Sequence, residues 1–267
     1  MNILFAQDTL FFAFKSVEST IDKTFELLQM QENQNKIIVV TADEQTKGRG
    51  RNKKNWFGEK KQNLYFSIGF KHSVKNLPIH LLQMLGGLSV LEVLQNLLTK
   101  NQIIRLKYPN DVYASSNNNS NNNKDLKKIS GIISETNFLD EQNCFSVIGI
   151  GINNKQTDFP LDIQENVTSL KNLDIDISCE NLTKILTNKI IKLLNQSPEI
   201  IFSEWKSCIN IFDKKINIIS YNDCETVNDC ENYYVRTILE DGRLELLTVL
   251  GKSRIIDNGD SIRYNLL

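Results

Sequence analysis

The sequence predicts an α+β fold, a β-sheet flanked by helices and followed by a small all-β module, on three observations. Short apolar strand-like runs recur between residues 36 and 152, interrupted by stretches with helical spacing. Pro78 to Lys100 carries leucines nearly all round, the pattern of a central and mostly buried helix. Past Asp213 the texture changes to short alternating strands with turn signals at Tyr221-Asn222-Asp223, Asp241-Gly242 and Asn258-Gly259. Such a tail of about 55 residues fits a small β module appended to a larger domain, so residues 1–212 and 213–267 are expected to be separate domains.

In chain order, Ser19-Thr20-Ile21-Asp22 opens a helix, with a hydroxyl cap followed three residues later by a carboxylate. Ile21, Phe25 and Leu28 then continue it at helical spacing to about residue 31. Lys36 to Thr41 is a buried strand, and Leu64 to Phe70 is another after an intervening basic loop. The 78–100 helix precedes short strands at 103–107, 112–114, 129–135 and 144–152. Two more helices are expected at 180–196 and 198–209, the first from Leu182, Ile185, Leu186, Ile190 and Leu193. The run at 115–123, SSNNNSNNN, has nothing to bury and reads as a disordered loop tip inserted between two strands.

Composition narrows the function classes. Of 267 residues, 40% are hydrophobic and 24% charged, as in ordinary globular proteins, and the formal net charge is −1. No global field draws such a chain to nucleic acid or anionic lipid, so any basic patch is local. Cys144, Cys179, Cys208, Cys224 and Cys230 form no C-x-x-C pair and have no nearby histidine to complete a zinc set. They read as reduced thiols of a cytoplasmic protein. The start, MNILFAQDTLFFAF, has no cation before Lys15 and is interrupted by Asp8, unlike a signal peptide or a membrane span.

The local basic patch is Thr46 to Trp56, with five cations among Lys47 to Lys54. It lacks the G-x-x-x-x-G-K-[ST] spacing of a Walker loop. Gly149-Ile150-Gly151-Ile152-Asn153-Asn154 has asparagine where a dinucleotide-binding loop needs its third glycine. In Gly48-Arg49-Gly50-Arg51 the glycines allow backbone to approach an anion, and the arginines can clamp carboxylate or phosphate oxygens. Taken alone, the segment is better read as an exposed charged hairpin. Trp56 shifts that balance, because an indole beside arginines suits a purine next to its phosphates, although it could equally anchor the loop in the core. Lys107-Tyr108-Pro109-Asn110-Asp111 ends a strand with a lysine, an amide and a carboxylate together, residues that also serve as simple turn formers. Lys128-Ile129-Ser130-Gly131 sets a lysine at the mouth of an apolar strand, then a glycine that ligand could touch. Neither histidine is a plausible base, since His72 reads as part of a polar loop and His80 as a helix start. Scattered cations, amides and glycines with one aromatic plate suit phosphoryl or nucleotidyl transfer, in which positioning and charge neutralisation dominate.

These segments in this order resemble the biotin–protein ligase family, the biotin–[acetyl-CoA-carboxylase] ligases. The likeness runs through Glu18-Ser19-Thr20, Gln45 with GRGRNKKNW, NLYFSI at 63–68, KYPND at 107–111, KISGI at 128–132 and IGIGINN at 148–154. It extends to Trp205 and the tail, and so covers nearly the whole chain. It implies a mixed sheet flanked by helices, of the class II synthetase and biotin ligase type, with a C-terminal SH3-like β-barrel. The implied reaction joins biotin to ATP with Mg2+, holds biotinyl-5′-AMP, and passes biotin to a lysine of a biotin carboxyl carrier domain.

By the same resemblance, Ser19, Thr20 and Gln45 would bond the ureido ring of biotin, with Gly48, Arg49, Gly131 and Ile132 close by. Arg51 would grip the activated carboxyl-phosphate, and Lys128 would sit at the reacting carboxylate and α-phosphate. Trp56 would pack on adenine, with Lys107, Asn110, Gly149 and Asn153 also near the nucleotide. Asp111 is the candidate to orient or deprotonate the acceptor amine. No permanent metal site is implied.

Three departures stand out: Ile21 where many relatives have asparagine, Tyr108 where tryptophan is commoner, and the Asn-rich insertion. With Ser19-Thr20 so near the start, the sequence leads us to expect no helix-turn-helix domain, no DNA partner and no repressor activity. No membrane partner is expected, and monomer and homodimer are both open. Two rival readings remain. A lipoate–protein ligase or octanoyltransferase shares the fold, but its typical R-R-x-S-G-G-G loop is absent here. A non-catalytic binder using 46–61 as a nucleic-acid arm would lose affinity steeply with salt.

Overall fold

A computed structural model describes residues 8–51, 55–116, 126–209, 211–212, 214–218, 233–256, 262–264 and 266. Most of the Asn-rich run, the 221–223 and 258–259 turn signals, Cys224, Cys230, Lys53 and Lys54 lie outside the described residues.

Seven strands form the principal sheet: β1 (Thr9–Phe14), β2 (Ile37–Ala42), β3 (Asn63–Ser73), β4 (Gln102–Lys107), β5 (Asp111–Ser116), β6 (Lys127–Phe138) and β7 (Asn143–Asn153). Their order is β1-β2-β3-β7-β6-β5-β4. β1 and β2 run parallel and the other pairs antiparallel, so the sheet is mixed. Helix α1 (Thr20–Gln29) covers one face, where Ile21, Phe25, Leu27 and Leu28 pack on Ile38, Val40, Phe145 and Val147. Alternate residues of the same strands, among them Ile37, Val39, Ile148, Ile150 and Ile152, face a larger core shared with α2 (His80–Gln95), α3 (Cys179–Leu194) and α4 (Pro198–Cys208). The α2 helix carries leucines nearly all round because it is sandwiched between the sheet and the pair α3 and α4.

A second sheet follows, of β8 (Lys215–Ile218), β9 (Tyr233–Ile238), β10 (Leu244–Thr248), β11 (Ser253–Ile256) and β12 (Ile262–Arg263), in the order β11-β10-β9-β8-β12. Its strand pairings among the described residues are antiparallel. Its apolar face, with Ile216, Val235, Leu244, Leu246 and Ile262, joins the core built on α2. The Asp241-Gly242 signal is realised as the β9–β10 turn, where Gly242 has φ +86°, a conformation that favours glycine.

One element had no reading in the sequence, and one expectation changes. The stretch TLFFAF is a strand, β1, held parallel to β2 at the sheet edge. His72 is in β3 rather than in a polar loop, because β7 pairs with β3 as far as Ser73↔Asn143. There the ring is 7% exposed and bonds the Ser146 hydroxyl at 2.8 Å. Burial pushes its pKa below the usual value, favouring the neutral ring.

Candidate active site

A cavity of about 190 Å3 opens on the α1 face of the principal sheet, beside the N-terminus of α1. Its floor follows from strand alternation. In Ile148-Gly149-Ile150-Gly151-Ile152 the isoleucines face the α2 core, which leaves the glycines on the opposite side. Gly131 lies across the ladder from Gly151, and Ile133 across from Gly149. A Cβ on Gly151 would fall 2.4 Å from Trp56 Cε2, and one on Gly131 would fall 2.7 Å from Trp56 Cζ3. The indole therefore lies directly on a side-chain-free floor. Its Nε1 is buried without a hydrogen-bond partner.

At one end the backbone N–H and hydroxyl of Thr20 both donate to Gln45 Oε1, at 2.7 and 3.0 Å, while the buried Ser67 hydroxyl donates to Thr20 Oγ1 at 2.7 Å. These bonds fix the Gln45 amide, whose Nε2 lies close to Gly48. Tyr65 also lines this cavity, and burial holds its phenol pKa up at about 12. The basic segment is a hairpin, with an Arg49↔Asn55 bridge and Trp56 N–H donating to Gly48 O at 3.0 Å. It is folded down onto the cavity by its tryptophan.

The two arginines of this hairpin are engaged differently. Arg49 makes paired bonds to Asp22 at 2.6 and 2.7 Å and to Glu135 at 2.8 and 2.9 Å. Hydrogen bonds to Glu135 first, then Asp22, raise its pKa further. A guanidinium so occupied is a latch between α1, β6 and the loop rather than an anion clamp. Arg51 donates to Asn110 Oδ1 at 3.0 Å inside the cavity. Asn110 in turn donates from Nδ2 to Ile132 O at 2.7 Å and accepts the Ile132 N–H at 3.0 Å. This ties the KYPND turn, between β4 and β5, to β6.

Lys128 Nζ pairs with Asp111 Oδ1 at 2.8 Å and lies 5.5 Å from the Trp56 ring centroid. Its backbone is fixed on both sides by the 166–168 segment, through Lys128 N–H to Asn166 O and Thr168 N–H to Lys128 O. The cavity thus gathers one lysine, two engaged arginines, a carboxylate and several amide or hydroxyl groups around an apolar, glycine-floored slot. That arrangement can hold a small ring compound and neutralise anionic charge next to it.

Of the residues singled out in the sequence, Ser19, Thr20, Gln45, Arg49, Arg51, Trp56, Asn110, Asp111, Lys128, Gly131, Ile132 and Gly149 line this cavity. Gly48 lies just behind it, against Gln45 and Trp56. Lys107 and Asn153 do not line it. The Lys107 ammonium lies over the Tyr113 ring, 4.9 Å from its centroid. The Asn153 amide donates to Thr168 O at 2.9 Å, so it braces the segment that holds Lys128. Sequence reasoning missed Gly151, Ile133, Tyr65 and Phe66 as lining residues. The I-G-I-G-I alternation was the signal for Gly151, and Tyr65 and Phe66 stand within the NLYFSI segment that carries the resemblance; Ile133 carried none.

A model described as the biotin/lipoate A/B protein ligase family matches residues 13–153 of this chain. A biotin–[acetyl-CoA-carboxylase] ligase of Mycobacterium tuberculosis is 25% identical over 234 residues, which is 84% of this chain and 78% of that protein. A bifunctional ligase/repressor BirA of Bacillus spizizenii is 30% identical over 135 residues, 49% of this chain and 38% of that protein. Among solved structures, a biotin protein ligase from Aquifex aeolicus in complex with biotin and ATP superposes with a TM-score of 0.67. That likeness has 24% identity and covers 96% of this chain and 99% of the other.

Proposed function

Because the chain belongs to the biotin/lipoate A/B protein ligase family, we propose that it is a biotin–protein ligase. In the first step the carboxylate of biotin attacks the α-phosphorus of Mg-ATP. An oxygen–phosphorus bond forms, pyrophosphate leaves, and biotinyl-5′-AMP remains. In the second, a lysine amine of a carboxylase carrier domain attacks the acyl carbon, loses a proton and expels AMP. The observation that carries this reading is the cavity itself: Thr20, Gln45, Arg51, Asn110, Asp111 and Lys128 converge on one glycine-floored slot.

The Thr20–Gln45 end presents fixed polar groups suited to a ureido ring. Lys128 and Arg51 stand where negative charge from the two reacting anions would concentrate, and neutralising it lowers the barrier. Phosphate arriving at Lys128 would compete with Asp111 for the ammonium and release the carboxylate to orient the acceptor amine. Magnesium would enter with the nucleotide, bridging its phosphate oxygens. Trp56 supplies a plate for adenine, while Gly149 gives the Ile21 side chain room to lie close against the sheet at the cavity.

The same reading takes residues 1–212 as the catalytic domain, 213–267 as an SH3-like domain, and the cytoplasm as the site of action. No helix among the described residues is long and apolar enough to cross a membrane. Incubation with Mg-ATP, an apo carrier domain and either biotin or lipoate tests the function. Biotin should be transferred and lipoate should not; lipoylation without biotinylation would replace this reading with that of a lipoate ligase.

A further inference from the structure

Two tyrosines connect the second sheet to the reacting groups. The backbone N–H of Tyr108, first residue of the Y-P-N-D turn after Lys107, donates to the Tyr264 hydroxyl at 2.8 Å. The Tyr108 hydroxyl donates to the carbonyl of Gly242 at 2.9 Å. Tyr264 follows β12, and Gly242 lies in the β9–β10 turn, so both partners come from the second sheet. That turn is itself seated on the principal domain: a Cβ at Gly242 would fall 2.4 Å from Met84 Cε of α2. The Tyr108 ring is 4% exposed and packs against Trp205 of α4, with centroids 6.1 Å apart. Burial raises the pKa of Tyr264, which stays a neutral phenol at physiological pH.

Two and three residues beyond Tyr108 come Asn110, which receives Arg51, and Asp111, which pairs with Lys128. A turn residue held by its own N–H, its ring and its hydroxyl has little freedom to move, and the residues next to it inherit that order. A tryptophan at position 108 would have no hydroxyl to offer Gly242, so this part of the brace depends on the tyrosine found here. The sequence gives no hint of it, since the partners are 156 and 134 residues away.

From this geometry we infer that Tyr264 and the Tyr108 hydroxyl are positioning residues through which the second sheet holds Asn110 and Asp111 in their working places. The inference rests on the function proposed above for its catalytic consequence, and on the hydrogen bonds alone for its structural one.

Its test uses Tyr264→Phe and Tyr108→Phe in the full chain, since each keeps the ring and removes only the hydroxyl. Amide hydrogen exchange over residues 107–112 needs no substrate; each variant should accelerate it about fivefold, the value of one net hydrogen bond. Single-turnover formation of biotinyl-AMP should slow by about the same factor at saturating biotin, with KM for biotin unchanged. In an Asn110→Ala background, Tyr264→Phe should slow the reaction by less than it does in the wild type, because one of the two groups it positions is gone. Wild-type exchange and rates in both variants would overturn the brace. So would effects that multiply in the double variant, which would mark only general loosening. A wild-type chain that makes no biotinyl-AMP would instead defeat the function reading, while the exchange comparison would still decide the brace.

Discussion

Replacing Gly151 by alanine tests whether the seat of the Trp56 indole on the glycine floor sets the room left for ligand. The added methyl would meet Trp56 Cε2, Cζ2 and Nε1 at 2.4, 2.6 and 2.7 Å. Carbon atoms pack comfortably at about 3.5–4.0 Å, so something must retreat by roughly 1 Å. The strand cannot, because Gly151 is paired with Tyr65 on one side and Gly131 on the other. The indole must lift, and whatever shares the slot with it loses room. Overpacking of this kind costs about 1–3 kcal/mol, which corresponds to biotin binding weakened about 5- to 150-fold. The fold should be nearly indifferent, with Tm changed by less than about 4 °C, because Trp56 belongs to neither hydrophobic core cluster. Gly251→Ala makes the matched control. It has no atom within 4 Å and φ +81°, so it should lose about 1–2 kcal/mol of stability and no affinity. Titration calorimetry with biotin and thermal melting of both variants supply the measurements. Wild-type affinity in Gly151→Ala would refute the argument that the seat of the indole on this floor sets the room left for ligand.

Three further outcomes follow from the same geometry. Lys128→Ala should cut biotinyl-AMP formation by about 100- to 1000-fold, the loss expected for a charge-stabilising donor, while Arg51→Ala should mainly speed release of the intermediate. Single-turnover and release kinetics separate the two, and identical profiles would dissolve the distinction. Glu135→Gln should loosen the Arg49 latch, lowering stability by about 1 kcal/mol in urea titrations and exposing 46–56 to protease, because the pair is only partly shielded from solvent. The histidines His72 and His80 both have pKa values lowered by burial. The unfolded chain therefore binds their protons first, and stability should fall as pH drops below about 6.5 until the buried rings themselves protonate. His72→Gln should flatten that slope between pH 7 and 5 in urea melts, and an unchanged slope would exclude its contribution.

What could be read from the sequence was what depends on local periodicity. The α1 start at Ser19-Thr20, the strands β2 and β3, the leucine-rich α2 and the four strands β4–β7 each announce their period within a few residues. β1 did not, because its phenylalanines point both ways: Phe12 and Phe14 pack on the α1 cluster, while Phe11 is 55% exposed at the edge. His72 was misread since Lys71-His72-Ser73 looks like a polar loop, and only pairing with β7 extends the strand through it. Lys107 lies next in sequence to the turn that carries Asn110, yet its ammonium goes to Tyr113 on the adjacent strand.

The basic hairpin shows the same limit at the level of chemistry. Its composition suggests a grip made of many cations on one anion. Arg49 is instead consumed by Asp22 and Glu135, which stand 27 and 86 residues away and cannot be assigned to it from spacing. Because it joins α1 and β6 to the loop, its charge serves to fix where the hairpin lies. That leaves Arg51, beside Asn110, and Lys128, approaching from β6, as the described cations that line the slot without being latched by two carboxylates. Two cations held by the neighbouring residues Asn110 and Asp111 suit a single activated phosphate better than a polymer backbone, whose charges repeat along an extended path. The near-zero net charge of the chain agrees with that choice: the field is concentrated where one small anion would react, and little is spread elsewhere to attract a long one.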